Sequence, residues 1–335
     1  MRWDVAGIGN ALIDALVVAD DAPLIAEFEL NRGTMHLVDE ARWREVYERI
    51  RTLDVMFDSG GSCANTVATV GRLGGRALFA GQVGDDQMGR EYASHIEKAC
   101  GGHALRFAPG EHTGKCLSII SSEDAERTML TNLGASVTLP ELGDFEDALR
   151  NTRVAHFTGY TLLDGPMRPL VCSAMETAAG SGALVSLDAA DPFVVASHPE
   201  LMWDLVRRWA DVVFLNREEA LALVGGTDPV AACRKIADEG GVRTVVVKLG
   251  ARGSVVSHDG ELSHIDVYRV DAVDTTGAGD AYAGGYLYGM TQGYSPALAG
   301  RLASAVAGLA VAQIGAVVRD LDRLQAVRNE ISRAA

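Results

Sequence analysis

The sequence is poor in positive charge, in aromatic residues and in organised cysteine. Lys and Arg number 30 against 45 Asp and Glu, for a net charge of −15. Such a chain makes a poor partner for a nucleic-acid backbone or an anionic membrane, and an anionic substrate would need a local cluster of donors. Aromatics are 6% of the residues while glycines number 37. That balance fits tight strand-to-helix turns and close helix–sheet packing better than a β-sandwich. The five cysteines (Cys63, Cys100, Cys116, Cys172 and Cys233) are odd in number and lack CxxC spacing, so they read as reduced thiols of a cytoplasmic protein. The N-terminus carries no apolar h-region and no cleavage pattern. The most apolar stretch, 303–318, is too short to span a membrane and rich in Ala and Gly, which predicts a buried helix. Internal repeats, low-complexity tracts and flexible linkers are absent. So is a Walker A motif: Gly114-Lys115-Cys116 has Pro109 in place of the first glycine and Cys in place of the metal-binding Ser/Thr. Gly7-Ile-Gly9-Asn-Ala-Leu12 follows a strand but lacks the third glycine and the closing acid of a dinucleotide fingerprint, which argues against a Rossmann dehydrogenase.

What is present is strand–helix alternation. Short β-branched runs at 4–9, 76–83, 153–157, 183–187, 212–215 and 244–248 are each bounded by Gly, Asp or Asn. Helical patterns occupy 64–73, 89–99, 167–179 and 229–239. This predicts a doubly wound, mostly parallel sheet with helices on both faces and ligands at the C-terminal strand ends. Runs at 13–18 and 34–38, joined by a helical piece, and a hairpin of 114–121 with 127–133 turning at 122–126, break the alternation. They read as one small β-sheet lid over the strand ends, an edge hairpin of the main sheet being the alternative. The boundaries follow: 1–12, 39–112 and 134–335 for the large α/β unit, 13–38 and 113–133 for the small one. Leu321, Leu324, Val327 and Ile331 mark a C-terminal amphipathic helix.

Residues 274–280, Asp-Thr-Thr-Gly-Ala-Gly-Asp, carry the strongest chemical signal. The glycine turn enters a small-residue helix, and free N–H groups at such a junction bind anions with help from the helix dipole. Asp280 on the first turn would repel a phosphate, unless it takes the proton of a hydroxyl attacking the phosphorus. A glycine turn with an acidic helix start is the simpler alternative. Asn10 and Asp14 follow the first strand, and Gly60-Gly61-Ser62-Cys63-Ala64-Asn65 is a second glycine turn entering a helix. A carboxylate and an amide on one rim can bind vicinal hydroxyls; turn and cap chemistry is the alternative. Asn216 and Glu219 share a face of a first helical turn and could hold Mg²⁺ through water, or simply cap their helix. Lys248-Leu-Gly250-Ala-Arg-Gly253 suits close approach by a nucleotide. Arg127 is either a charge clamp arriving with a closing lid or a solvated hairpin residue.

These residues resemble the ribokinase-like (PfkB) sugar and nucleoside kinases. The 274–280 stretch with its helix is similar to the C-terminal signature. Gly60-Gly61-x-x-x-Asn65 followed by Gly71-Arg-Leu-Gly74 is similar to the N-terminal one, and Asn216-x-x-Glu219 and Lys248-x-Gly250-x-x-Gly253 fall between them in family order. The resemblance spans essentially the whole chain. It implies transfer of the ATP γ-phosphoryl group to a primary alcohol. By position, Asp280 is then the base. Gly277, Ala278 and Gly279 supply N–H groups to the developing charge, and Arg127 clamps phosphates. Asn216 and Glu219 organise Mg²⁺, while Asn216, Lys248, Gly250, Gly253 and Thr275 border ATP. Asn10, Asp14, Gly60, Gly61 and Asn65 border the acceptor. Asp274, Thr276, Ala310 and Gly315 match a monovalent-cation (K⁺) site of some members. Segments 9–14, 33–39 and 157–160 are similar to the bacterial adenosine kinase branch, with Met35 in the nucleoside pocket and Tyr160 stacking on adenine. The expectation is a cytoplasmic, monomeric or homodimeric kinase of a small nucleoside or sugar, needing neither nucleic acid nor membrane. Adenosine is the foremost acceptor. A sugar or sugar acid is the alternative, and a non-catalytic nucleotide-binding protein a third.

Overall fold

The structure is a computed structural model that describes residues 2–124, 126–163 and 165–333. Its strands, in chain order, are β1 (Trp3–Ile8), β2 (Leu12–Ala19), β3 (Met35–Leu37), β4 (Met56–Gly60), β5 (Ala77–Gly84), β6 (His103–Ala108), β7 (Gly114–Ser121), β8 (Arg127–Asn132), β9 (Thr152–Thr158), β10 (Leu184–Asp188), β11 (Val212–Asn216), β12 (Thr244–Lys248), β13 (Ser254–His258) and β14 (Glu261–Ile265).

Nine of them form one sheet in the order β14-β13-β12-β11-β10-β9-β1-β5-β6. Pairing is parallel from β6 to β12, and only the pairs β12–β13 and β13–β14 are antiparallel. Alternate residues explain the two helical layers. Phe214 and Val246 face one core with Val67, Tyr286 and Leu302; Val213, Leu215, Val245 and Val247 face the other with Val171, Leu205 and Ile236. Both faces are therefore covered, which is why these strands read as continuous apolar runs rather than alternating ones. From β1 the chain winds one way to β5 and β6, then the other way from β9 to β12, so strand order reverses at β1. Ligands of such sheets lie at that reversal, beyond the strand C-termini.

The other five strands form a second sheet, β3-β8-β7-β2-β4. It has its own core of Ala15, Val17, Leu117, Ile119 and Leu130 against Trp43, Val46 and Ile50 of the helix Glu40–Ile50. Two segments that the sequence reading put in the large unit thus join the small one: this helix and β4, which pairs antiparallel with β2. β4 reads Met-Phe-Asp-Ser-Gly, a turn-like composition, and only pairing reveals it as a strand. The hairpin of β7 and β8 forms as expected; its turn residue Ala125 lies outside the described residues. The strands β6, β13 and β14 were also not anticipated. The apolar stretch 303–318 is only partly helical: the helix Pro296–Val311 ends there, and the chain turns back through Gly315. Leu324, Val327 and Ile331 are buried as their spacing predicts, while Leu321 is exposed. Among the described residues no helix is long and apolar enough to cross a membrane.

Candidate active site

A cavity of about 1140 Å³ lies across the C-terminal ends of β10, β11 and β12 and the N-terminus of the helix Ala278–Thr291, with β8 on its far side. Its volume exceeds the usual range for one small ligand. Asp280 sits on its wall, on the first turn of the helix. Gly277 caps that helix at φ 67°, a left-handed conformation, and a Cβ there would overlap Ala316. Both backbone and space demand glycine at this position. Of the amides expected to bind anions, that of Ala278 already donates to the Thr275 carbonyl (3.3 Å). No hydrogen bond among the described residues uses the amides of Gly277, Gly279 or Asp280. The open donors are therefore 277, 279 and 280 rather than 277, 278 and 279.

Asp280 is held from the other glycine turn. Ser62 Oγ donates to Oδ1 (2.7 Å) and Asn65 Nδ2 to Oδ2 (2.9 Å). Burial raises the carboxyl to about 6, against the downward pull of these two hydrogen bonds; Asp188 raises it further and Lys248 lowers it. At neutral pH the group is ionised yet basic enough to take a proton. Asn65 was expected beside the acceptor. It does line the cavity, but its amide orients Asp280, and its Oδ1 is buried with no hydrogen-bond partner.

Lys248 was expected beside a nucleotide. Its ammonium lies near Gly279 and pairs with Asp188 (2.8 Å), a 2%-exposed carboxylate at the end of β10. Burial opposes the charge on Lys248, but Asp188 and then Glu219 outweigh it and hold its pKa up. Sequence reasoning missed Asp188, although an acid closing a buried strand was a readable signal. It also missed Ala190, which lines the cavity at φ 72° and donates its N–H to Asp188 Oδ1 (3.0 Å). A non-glycine residue held in that region is strained. Ser62 was likewise overlooked inside a motif that was noticed.

Asn216 and Glu219 form a complete capping box. Asn216 Oδ1 accepts from Glu219 N (2.8 Å), while Glu219 accepts from Asn216 N and Nδ2 (both 2.7 Å). The helix-cap and ligand readings are therefore not exclusive, because both residues also line the cavity. Burial pushes the Glu219 carboxyl well up. Gly250, Gly253 and Thr275 line the same wall. Asp274, Thr276 and Gly315 come together as a clasp: Asp274 Oδ1 accepts from Thr276 N (2.9 Å) and Oγ1 (2.5 Å), and Oδ2 from Gly315 N (3.0 Å). The Ala310 carbonyl accepts from Ala312 and Gln313.

From the small sheet, Arg127 and Met129 of β8 reach the cavity, and Arg127 Nη1 donates to Thr276 Oγ1. Arg127 thus ties the small sheet to the glycine turn at 274–277 and is not a solvated hairpin residue. Tyr160 lines the cavity, its hydroxyl donating to Asp191 (3.3 Å). The remaining expected acceptor residues, Asn10, Asp14, Met35, Gly60 and Gly61, do not line it. Asp14 lies on β2 against Gly60, where a side chain would overlap its carboxylate. Burial pushes Asp14 up to about 7; Arg127 pulls it down, and Asp58, Asp280 and Asp274 add to the rise. Asn10 Oδ1 is buried without a partner. Met35 is on the edge strand β3, 37% exposed, paired in register with Met129.

Known proteins resemble this chain in sequence and in fold. The adenosine kinase of Sinorhizobium meliloti superposes with a TM-score of 0.88 at 32% identity, covering 100% of both chains. "Probable fructokinase-4" of Arabidopsis thaliana is 30% identical over 68% of this chain and 72% of its own. The 5-dehydro-2-deoxygluconokinase 1 of Bacillus cereus is 29% identical over 76% of this chain and 80% of its own. The model of the pfkB family of carbohydrate kinases matches residues 34–322. The chain belongs to that family and is a phosphotransferase acting on a hydroxyl group.

Proposed function

We propose that the protein transfers the γ-phosphoryl group of ATP to the primary hydroxyl of a ribose-type acceptor, with the 5′-hydroxyl of adenosine the first choice. The observation that carries this reading is Asp280: a carboxylate raised to about 6, fixed by Ser62 and Asn65, beside open amides at a helix N-terminus. The acceptor oxygen attacks the γ-phosphorus, its proton passes to Asp280, and the bond from phosphorus to the bridging oxygen of ADP breaks. The amides of Gly277 and Gly279 face charge developing on the transferred group, and Arg127 adds a fixed positive charge from the small sheet. That sheet then acts as the lid, keeping water from the γ-phosphoryl group.

The donor set suits Mg²⁺. Glu219 and Asp188 are buried carboxylates beside the Asn216 amide, and every carboxylate oxygen keeps a free lone pair. An ion that retains most of its waters needs few protein ligands. Asn216 and Glu219, with Asp188 close by, would hold it. When bound, the ion neutralises phosphate charge.

Adenosine is favoured by the similarity to the Sinorhizobium meliloti enzyme along the full chain and by Tyr160, an aromatic ring on the cavity wall able to stack on a base. A sugar or sugar-acid acceptor is favoured by the curated relatives, named as fructokinase and 5-dehydro-2-deoxygluconokinase. An ADP-release assay across adenosine, other nucleosides, ribose, fructose and 2-keto-3-deoxygluconate separates the two. Rapid turnover of adenosine with inert sugars is expected. The reverse pattern removes adenosine, and binding without turnover on every acceptor removes the kinase assignment.

A further inference from the structure

A second cavity, of about 360 Å³, lies away from the active site. Its walls come from β4, the last turns of the helices Ser62–Arg72 and Gln87–Cys100, and the segment 317–319. Arg72, His95, Lys98 and Arg319 line it, with Asp58 as the one carboxylate. Three fixed cations and a histidine against one acid is an unusual concentration in a chain of net charge −15.

Asp58 accounts for only part of that charge. Arg319 Nη2 bonds Asp58 Oδ2 at 2.8 Å, but His95 Nδ1 is 3.8 Å from Oδ1, beyond hydrogen-bond reach. Arg72 Nε and His95 Nδ1 are both buried with no hydrogen-bond partner. Arg72 and Lys98 stand at helix C-termini, where cations offset the dipole. That explains the sign of the charge, but not why a guanidinium N–H is buried facing nothing. An unpaired buried donor such as Arg72 Nε costs about 1–3 kcal/mol, a cost that an acceptor reaching it would relieve.

We propose that this cavity is an anion site for a phosphoryl dianion, inorganic phosphate or a small phosphate monoester, held by Arg72, Lys98, Arg319 and His95. Arginines and tetrahedral oxyanions match in charge and fork geometry. Asp58 is the internal competitor, holding Arg319 until the anion takes its place. Asp58 stands opposite Asp14 across the β2–β4 pair.

The test is calorimetric titration of the full chain with inorganic phosphate and, separately, glycerol phosphate, at constant ionic strength. Binding in the millimolar range or tighter is expected, with the better ligand identifying the source. Arg72→Gln and Lys98→Gln should each weaken it at least about tenfold, the loss of one charge-assisted hydrogen bond. Asp58→Asn should tighten it, a gain that loss of a structural contact would not give. Arg127→Ala, which removes a cation from the active-site cavity, should leave it unchanged. Lys98 is on the exposed rim, so its variant remains informative if Arg72→Gln fails to fold. Absence of binding overturns the proposal. So does binding that survives Lys98→Gln, or that Arg127→Ala abolishes.

Discussion

The two walls of the active-site cavity are built in different ways. On the strand-end wall, many of the functional groups belong to short local motifs. Asn216 and Glu219 share one capping box, Lys248 through Gly253 one turn, and Asp274 through Asp280 one glycine turn and the helix it starts. On the small-sheet wall, Arg127 and Met129 arrive on β8, which is placed by pairing with β3 and β7. Neighbours there are set by register, and register is a property of strands distant in sequence. The strand-end wall should therefore be sensitive to single changes in chemistry, and the small sheet, apart from Arg127, more tolerant of them.

The largest effect is expected from Asp280→Asn. Turnover should fall by about 10³-fold or more, since base and orientation are both lost. Thermal stability should hold, because the Asn65 amide can flip and offer its unpartnered Oδ1 to the new amide. Steady-state kinetics with a melting curve checks both; near-native turnover would remove Asp280 as the base. Next comes Asp188→Asn. It leaves the buried Lys248 ammonium without its carboxylate, at a cost of about 3–5 kcal/mol in urea unfolding. An unchanged unfolding midpoint would mean the pair contributes nothing.

The third expectation concerns pH. Asp280 must be ionised to accept a proton, and its pKa is raised to about 6. The plot of kcat/KM against pH should therefore fall on its acid side about tenfold per unit below pH 6 and flatten above it. Asp188→Asn removes a charge that raises this value, so the acid limb should move to lower pH in that variant. A limb that stays put would show that another group controls it. The smallest effect is expected on the small sheet away from the cavity. Met35→Ala should change the acceptor KM by less than about threefold and leave the ATP KM alone, because Met35 does not line the cavity. A larger rise would mean that the small sheet closes further over bound substrate than it does here.

Legibility in the sequence follows the same division. The glycine turn at 277, the carboxylate at 280 and the Asn216–Glu219 pair were readable because each combines a backbone constraint with a functional group within a few residues. Arg127 was readable as a residue, but its partner Thr276 was not, being 149 positions away. Ser62 was visible inside its motif, yet nothing local tells a serine that holds a carboxylate from one that faces solvent. Asp188 and Lys248 each end a strand, and only the neighbouring positions of β10, β11 and β12 in the sheet bring them together. The strand β4 was hidden because Met-Phe-Asp-Ser-Gly has no strand periodicity; β2 gives it a partner.

By itself the sequence determined the α/β plan of a sheet covered on both faces, through its continuous apolar runs, and singled out Asp280 as the carboxylate proposed to react. Tertiary structure alone decided how that carboxylate is tuned. Its pKa depends on burial, on two hydrogen bonds from a turn more than 200 residues away, and on the Asp188–Lys248 pair. Those are effects of distance through space, which spacing along the chain does not encode.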